Sequence, residues 1–330
     1  MVDFFSNIFE HFVDPRKRVF LGYIFLSIVI AFVWLYKAKG LNLKQSLLYI
    51  FDKRVLLSKS SKSDFKLFFF NRIFLLFVSP LLITQIAIAT AIYYFLHSFS
   101  WLTVGMLSSV PTYLVIGLFT LFVFTLDDFT KFIVHRWMHK ISFLWALHKV
   151  HHSATTLTPL TIYRTHPLEG ILFSLRASFT QGVSISLFVF FFGNSVDLFT
   201  ILGVNIFIFC FNVAGANLRH SHIGIQYWRW LEYIIISPAQ HQLHHSVAEE
   251  HYDKNFGATL AFWDWCFGSL VPSEKTENLK LGLTYDKETK PHSLFTLYVR
   301  PFIDIYNLAT LRVRKTYKYI KTANNRMSGT

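Results

Sequence analysis

Two cysteines, Cys210 and Cys266, are the only thiols in 330 residues. Neither has C-x-x-C spacing, so a structural zinc site of the usual cysteine type is excluded, and such scarcity is compatible with a reducing compartment. Charge is scarce as well: Asp, Glu, Lys and Arg make up 15% of the chain, against roughly 25% in an ordinary soluble domain. There is no G-x-G-x-x-G fingerprint for a flavin or nicotinamide nucleotide and no cytochrome-like haem motif, so any electrons the protein uses must come from a separate donor. The Glu-x-x-His pairs that build carboxylate dimetal sites in ferritin-like bundles are also missing. No short apolar stretch with a small-residue cleavage site opens the sequence, so the first apolar run is expected to be retained.

Apolar residues fill 53% of the chain, and 37 residues are Phe. They gather in five runs near the roughly 20 residues that a helix needs to cross a bilayer: 19–36, 67–96, 102–126, 171–192 and 196–216. The second is long enough to tilt, or to kink at Pro80. The pattern predicts an all-α integral membrane protein with about four to five transmembrane helices. Between the first two runs stand Lys37, Lys39, Lys44, Lys53, Arg54, Lys59, Lys62 and Lys66, whereas the turns at 98–100 and 193–195 carry no charge. Positive charge marks the cytoplasmic side, and with five spans the regions after spans one, three and five share that face. Arg16-Lys17-Arg18 argue the other way and make a re-entrant or interfacial helix the alternative for the first run.

The net charge of +13 sits in membrane-flanking segments and the C-terminal tail, which fits an anionic lipid surface rather than nucleic acid. In the tail, Arg300, Arg312, Arg314, Lys315, Lys318 and Lys321 alternate with apolar residues. That is the pattern of a helix lying on the membrane, or of one packed on the rest of the protein. Polar stretches at 57–64 and 273–292 read as surface loops. Arg176 and Gln181 inside the fourth run are expected to face protein or a cavity, with snorkelling to the interface as the alternative for Arg176.

Twelve of the fifteen histidines lie between His135 and His251. Most fall in three boxes: His135-Arg136-Trp137-Met138-His139, His148-Lys149-Val150-His151-His152 and His241-Gln242-Leu243-His244-His245. Helical positions i, i+3 and i+4 share a face, so the boxes present two, three and three imidazoles. Imidazole binds metal when neutral, its majority form at pH 7 given a reference pKa near 6.5. Eight such side chains suit two metal ions better than one, and the donor type allows iron, zinc, copper or nickel. Asp128 lies seven residues before His135 on nearly the same helical face. It is a candidate to orient a ligand through the second ring nitrogen, or a helix-terminal acid.

The ordered set of motifs resembles the sterol desaturase and fatty acid hydroxylase superfamily of integral-membrane, histidine-box, non-haem di-iron oxidases. The resemblance covers roughly residues 127–270. It rests on Asp128 before the first box, Leu144-Trp145 before the second, Arg164, His166-Pro167-Leu168-Glu169, Asn217, Ser237-Pro238 before the third, Lys254-Asn255-Phe256-Gly257, and Trp263-Asp264-Trp265 with Phe267-Gly268. It implies a cytoplasmic helical cap holding a histidine-rich dimetal site, with His135, His139, His148, His151, His152, His241, His244 and His245 as ligands. It also implies one or two ligands between the second and third boxes. The candidates are His220 and His222: residues two apart on a helix point about 200° from one another, so only one of them can face the site unless the backbone is irregular there, and His222 is slightly preferred. His166 and His251 are further candidates, and Glu169 and Asp264 join Asp128 as orienting carboxylates.

Three regions follow: N-terminal membrane helices with a basic cytoplasmic loop (1–126), a catalytic domain that includes two membrane helices (127–272), and a polar loop with a basic amphipathic tail (273–330). By the resemblance, two iron ions, O2 and a ferredoxin- or cytochrome-type electron donor would serve to hydroxylate a C–H bond of a fatty acyl, sterol-like or related membrane lipid. Desaturation by the same site is the nearest alternative. Two readings of other classes are a zinc membrane hydrolase, active without oxygen, and a non-catalytic metal-binding membrane protein, which would keep its function after His148→Ala or His244→Ala.

Overall fold

A computed structural model describes residues 9–193, 205–273, 279–283 and 290–311. Among these residues the regular structure is helical, with two isolated β-bridges and no strand. Helix α1 (Leu21–Lys37) is apolar but 17 residues long, short of the roughly 20 that a span needs. It buries Tyr23, Ser27, Ala31 and Leu35, one residue in four, and leaves Phe25, Val29 and Val33 exposed opposite them. The buried stripe packs with Ile50 of α2 (Leu43–Ile50) and with Leu218, Ile223 and Ile225. A single turn, α3 (Lys53–Leu56), leads into the first long segment.

Three helical segments are long and apolar enough to cross a membrane: Lys59–His97, Thr112–Lys140 and Pro167–Phe192. The first consists of α4 (Lys59–Val78) and α5 (Gln85–His97), interrupted by a 3-10 turn at Ser79-Pro80-Leu81. Proline has no N–H to continue the helix and its ring crowds the preceding turn, so the break falls where the sequence placed a kink. The other two are α6 (Thr112–Lys140), which runs on into α7 (Ser142–His152) through Ile141, and α8 (Pro167–Phe192). The third apolar run enters its helix late. Residues 102–111 form turns against the end of α8, with the Gly105 and Leu107 amides donating to Phe190 and Phe191. Of the fifth run, residues 196–204 lie outside the described residues, and α9 (Ile206–Val213) follows them.

Helices α5 and α8 touch at Gly182, where a Cβ would sit 2.7 Å from the Ile88 Cβ and 2.9 Å from the Gln85 carbonyl oxygen. Only a small residue permits that approach. Between α6 and α8, Val115, Phe119 and Val123 pack on Phe188, and one contact is polar: Arg176 Nη1 lies 2.8 Å from Asp127, whose other oxygen is 2.5 Å from Lys131 Nζ. Arg176 therefore neither snorkels nor faces an open cavity; it answers a carboxylate on the neighbouring helix.

Beyond the apolar length of α6 the chain builds a cap from α7, α10 (Pro238–His244), α11 (Phe262–Cys266) and the loops between them. The stretch 57–64, expected as a surface loop, is instead the buried start of α4: Ser58 caps the helix, and Ser60, Ser61, Ser63 and Asp64 are buried. The cause is Arg164, fully buried, whose Nη1 pairs with Asp64 at 2.8 Å. Its Nε donates to the Val150 carbonyl and to Ser153 Oγ at the end of α7. A buried guanidinium requires this polar company. The tail begins with α12 (Leu294–Tyr298), where Leu297 packs on Leu67 and Val150, and Asp304 pairs with Lys149 of α7. This part of the tail packs on the cap. Arg312, Arg314, Lys315, Lys318 and Lys321 lie outside the described residues.

Candidate metal centre

Nine histidines converge into two groups in which the ligand atoms lie within 4.8 Å of one another: His135, His139, His148, His152 and His244 in the first, and His151, His220, His241 and His245 in the second. The boxes divide by helical angle. Positions i and i+4 differ by about 40° around the axis, and i+3 and i+4 by about 100°. Thus His148 and His152 of α7 enter the first group and His151 the second. In the third box His241 and His245 enter the second group and His244 the first. The groups abut, the His152 and His245 rings standing 4.6 Å apart.

The ring nitrogens are oriented from behind. His135 Nδ1 and His244 Nδ1 each lie 2.7 Å from a backbone carbonyl oxygen, those of Phe256 and Lys254, and His148 Nδ1 lies 2.9 Å from Glu169 Oε1. A carbonyl only accepts, so His135 and His244 carry their proton on Nδ1 and turn the Nε2 lone pair toward the group. The nitrogens pointing inward have no protein partner: Nε2 of His139, His148, His152 and His244, and both nitrogens of His245, are buried without a hydrogen bond. In the second group the Nε2 atoms of His151, His220 and His241 face one another at 3.2 and 3.0 Å. Burial holds the imidazoles of His148, His152, His220, His241, His244 and His245 well below the usual histidine range, and pushes that of His151 down to about 3. Neutral, unpartnered, convergent nitrogen donors in a buried site are costly without a cation and are the donor set that a divalent metal takes.

The remaining candidates lie elsewhere. His222 was preferred to His220, but the backbone becomes extended at Ser221, after the 3-10 turn Ala216–His220. His222 turns outward, its Nε2 lying 2.7 Å from the Tyr49 carbonyl oxygen; His220 occupies the place in the second group. His166 caps α8, accepting from the Leu168 amide and lying 3.2 Å from the Tyr298 carbonyl oxygen. His251 sits in a 3-10 turn apart from both groups. Of the three carboxylates, only Glu169 touches an imidazole. Asp128 accepts from the Thr259 and Leu260 amides and the Trp263 indole, and Asp264 from the Phe256 and Gly257 amides and Ser269. Asp264 thereby fixes the carbonyl that orients His135. Glu232 went unnoticed in the sequence: it is buried and accepts from Ser237 Oγ, the residue that caps α10. A lone acid among aromatic residues gave no signal beyond its charge.

Removing the direct orienting carboxylate has a measurable consequence. Glu169→Ala is expected to weaken metal binding by about 10–100-fold, and Glu169→Gln, which keeps an acceptor for His148, by less. Titration against a metal chelator measures both, and unchanged affinity in Glu169→Ala would remove Glu169 from the site.

Beside the two groups opens a cavity of about 610 Å³ whose wall includes His135, His148, His151, His220 and His241 together with Phe173, Ala177, Ile208 and Phe211. Comparison with known proteins finds relatives over the same part of the chain. A fatty acid hydroxylase family model matches residues 120–269. The chain is 28% identical over 162 residues to an alkylglycerol monooxygenase of Xenopus tropicalis, covering 49% of this chain and 32% of that protein. It is 36% identical over 80 residues to a Delta(7)-sterol 5(6)-desaturase of Eremothecium gossypii, covering 24% of this chain and 23% of the relative. Over 220 residues it is 28% identical to a putative Delta(7)-sterol-C5(6)-desaturase 2 of Arabidopsis thaliana, covering 60% of this chain and 70% of that one. The chain thus spans less than a third of the length of the first two. No solved structure matches it.

Proposed function

Because the chain belongs to the sterol desaturase and fatty acid hydroxylase superfamily, a family of oxidoreductases, we propose that it is a membrane-embedded, non-haem di-iron oxidase that hydroxylates a C–H bond of a lipid, using O2 and electrons from a separate ferredoxin- or cytochrome-type carrier. The observation that carries this reading is the pair of abutting imidazole groups on the wall of a cavity that also has apolar lining. His135, His139, His148, His152 and His244 would hold one iron, and His151, His220, His241 and His245 the other. Bound there, the two ions supply the activation of dioxygen and the oxidising power to remove hydrogen from an unactivated carbon.

The chain's own residues position and shield. The carbonyls of Lys254 and Phe256 and the carboxylate of Glu169 fix three rings. Phe256, fully buried, packs edge-on against His135 and His139 and keeps that side dry. Phe173, Ala177, Ile208 and Phe211 offer a wall for an apolar substrate entering from the bilayer. We place the catalytic unit at residues 127–272 and the site on the cytoplasmic face, on the side of the lysine-rich segment that precedes α4. Desaturation by the same site is the second reading, favoured by the names of two relatives, and products separate the two: an alcohol or an alkene.

The test is metal content and oxygen uptake of detergent-purified, iron-reconstituted protein supplied with native lipids and a competent electron donor. About two irons per chain and lipid-stimulated oxygen uptake are expected. Tightly held zinc with no oxygen uptake would overturn the oxidase reading in favour of a hydrolase.

A further inference from the structure

The wall of the cavity beside the imidazoles is strongly basic as well as apolar. Arg16, Arg18, Arg72, Lys131 and Arg219 all line it, and Glu169 is the one carboxylate among the described lining residues. Two of the cations are answered, Arg16 by Asp14 and Lys131 by Asp127. Arg18, Arg72 and Arg219 form no ion pair with any described carboxylate; their contacts are neutral. Arg18 Nη2 donates to the Ala216 carbonyl at 2.6 Å. Arg219 donates to the Ala258 carbonyl and stacks over the Phe211 ring at 5.0 Å. Arg72 Nη1 lies 2.6 Å from His11 Nε2, while its Nε is buried without a partner.

The hydrogen-bond order at this end is fixed by chemistry. A guanidinium only donates, so His11 accepts at Nε2 and carries its proton on Nδ1. That proton goes to the Tyr163 hydroxyl oxygen, 3.2 Å away. The Tyr163 O–H is thereby left as a donor, and Tyr163 also lines the cavity. Burial and the Arg72 charge push the His11 imidazole down to about 4, which keeps it in this neutral role. The wall thus offers a phenol O–H and guanidinium groups whose acceptors are neutral and which no described carboxylate pairs with. Counting Glu169 as ionised, three guanidiniums less one carboxylate leave a charge of +2 before any metal is added. A phosphate monoester carries about −1.5 to −2 and has three oxygens for donors; a carboxylate brings −1 and two, and a sterol or alcohol brings no charge.

We propose that this end of the cavity binds a phosphate group, and that the ligand is a phosphate-bearing lipid whose tail runs along Phe173, Ala177, Ile208 and Phe211. Arg219 immediately precedes His220, so the phosphate is held beside the second imidazole group. The proposal rests on the lipid oxidase reading for the tail and names the head of the same substrate, a class that the relatives' names do not contain.

The experiment is equilibrium binding of radiolabelled hexadecyl phosphate, palmitate and hexadecanol to the full chain as purified, in neutral-detergent micelles without reductant. No turnover is then needed. Hexadecyl phosphate is expected to bind at least about 10-fold more tightly than hexadecanol and more tightly than palmitate, since hydrogen bonds to charged groups contribute more than neutral ones. Arg72→Gln and, independently, Arg18→Gln remove most of that preference. Arg72→Lys keeps much of it, and Lys66→Gln, at an exposed residue away from the cavity, leaves it unchanged. Equal affinity for the three amphiphiles, or a preference that survives both Arg→Gln variants in folded protein, overturns the proposal. Inorganic phosphate competing as well as hexadecyl phosphate overturns the lipid half. Phosphate-selective binding without lipid-stimulated oxygen uptake sinks the oxidase reading alone, and oxidation of a neutral lipid without head-group selectivity sinks this one alone.

Discussion

On the proposed di-iron oxidase reading, His220→Ala is expected to remove one of the two irons and to lower lipid oxidation by about 10³-fold or more, whereas His222→Ala, two residues on, should leave both within about a factor of two. The contrast follows from where the rings point. His220 Nε2 stands between His151 Nε2 and His241 Nε2, at 3.2 and 3.0 Å, so alanine there takes the central donor from a group of four and leaves its neighbours facing a hole. Three ligands with a missing centre hold a metal weakly, and on the proposed di-iron reading both ions are needed to handle dioxygen. The first group, with five imidazoles, keeps its own ion, so the loss is selective. His222 bonds only a backbone carbonyl at the partly exposed edge of the cap. Iron content by plasma emission and oxygen uptake on the same preparations check both halves. Full iron in His220→Ala would remove that residue from the site, and loss confined to His222→Ala would reverse the assignment.

Why the spacing of the boxes was legible and the choice between His220 and His222 was not is a matter of range. The i, i+3, i+4 relation is local and survives any tertiary arrangement of the helix that carries it. What it cannot encode is that i+3 departs toward a second group, because that depends on a facing helix supplying the complementary split. The conformation around Ser221 is set from 21 residues away: the Gln242 side-chain amide donates to the carbonyls of Leu218, Ser221 and Ile223. Gln242 sits inside the third box, between His241 and His244. Glu169 was reachable through the resemblance, and it touches an imidazole. Asp264 came by the same route and Asp128 from its place seven residues before His135, and both turn out to hold backbone amides. The long apolar stretches were clear in composition, yet composition does not say that α1 is clamped on the cap by a one-in-four stripe or that residues 102–111 fold back as turns. The serines and Asp64 at the start of α4 were mistaken for solvent-facing residues because polarity alone cannot reveal a buried guanidinium 100 residues away.

That buried pair carries the other large effect. Asp64→Ala is expected to destabilise the protein by about 3–5 kcal/mol, the cost of stranding one member of a buried ion pair, and to lower the thermal midpoint in detergent by on the order of 10 °C. Asp64 and Arg164 are both inaccessible to solvent, so water cannot replace the lost partner. Arg164 also accounts for several groups at once: its Nε holds the Val150 carbonyl and Ser153 Oγ, its Nη1 the Ser60 carbonyl, and its Nη2 lies 3.1 Å from His292 Nδ1. Val150 and Ser153 bracket His151 and His152, one imidazole from each of the two groups. Loosening Arg164 therefore loosens the end of α7 that feeds both, and iron affinity should fall with stability even though Asp64 itself is no ligand. Replacing the pair together, Asp64→Leu with Arg164→Met, removes the unmatched charge and is expected to be more stable than Asp64→Ala, as buried pairs exchanged for apolar residues often are. Its iron affinity should nevertheless stay low, because the apolar pair no longer holds the Val150 carbonyl and Ser153. A midpoint shift of less than about 2 °C in Asp64→Ala would mean that the pair is not shut away from water as the geometry requires. Stability recovered in the double variant together with wild-type iron affinity would show that Arg164 serves the fold alone.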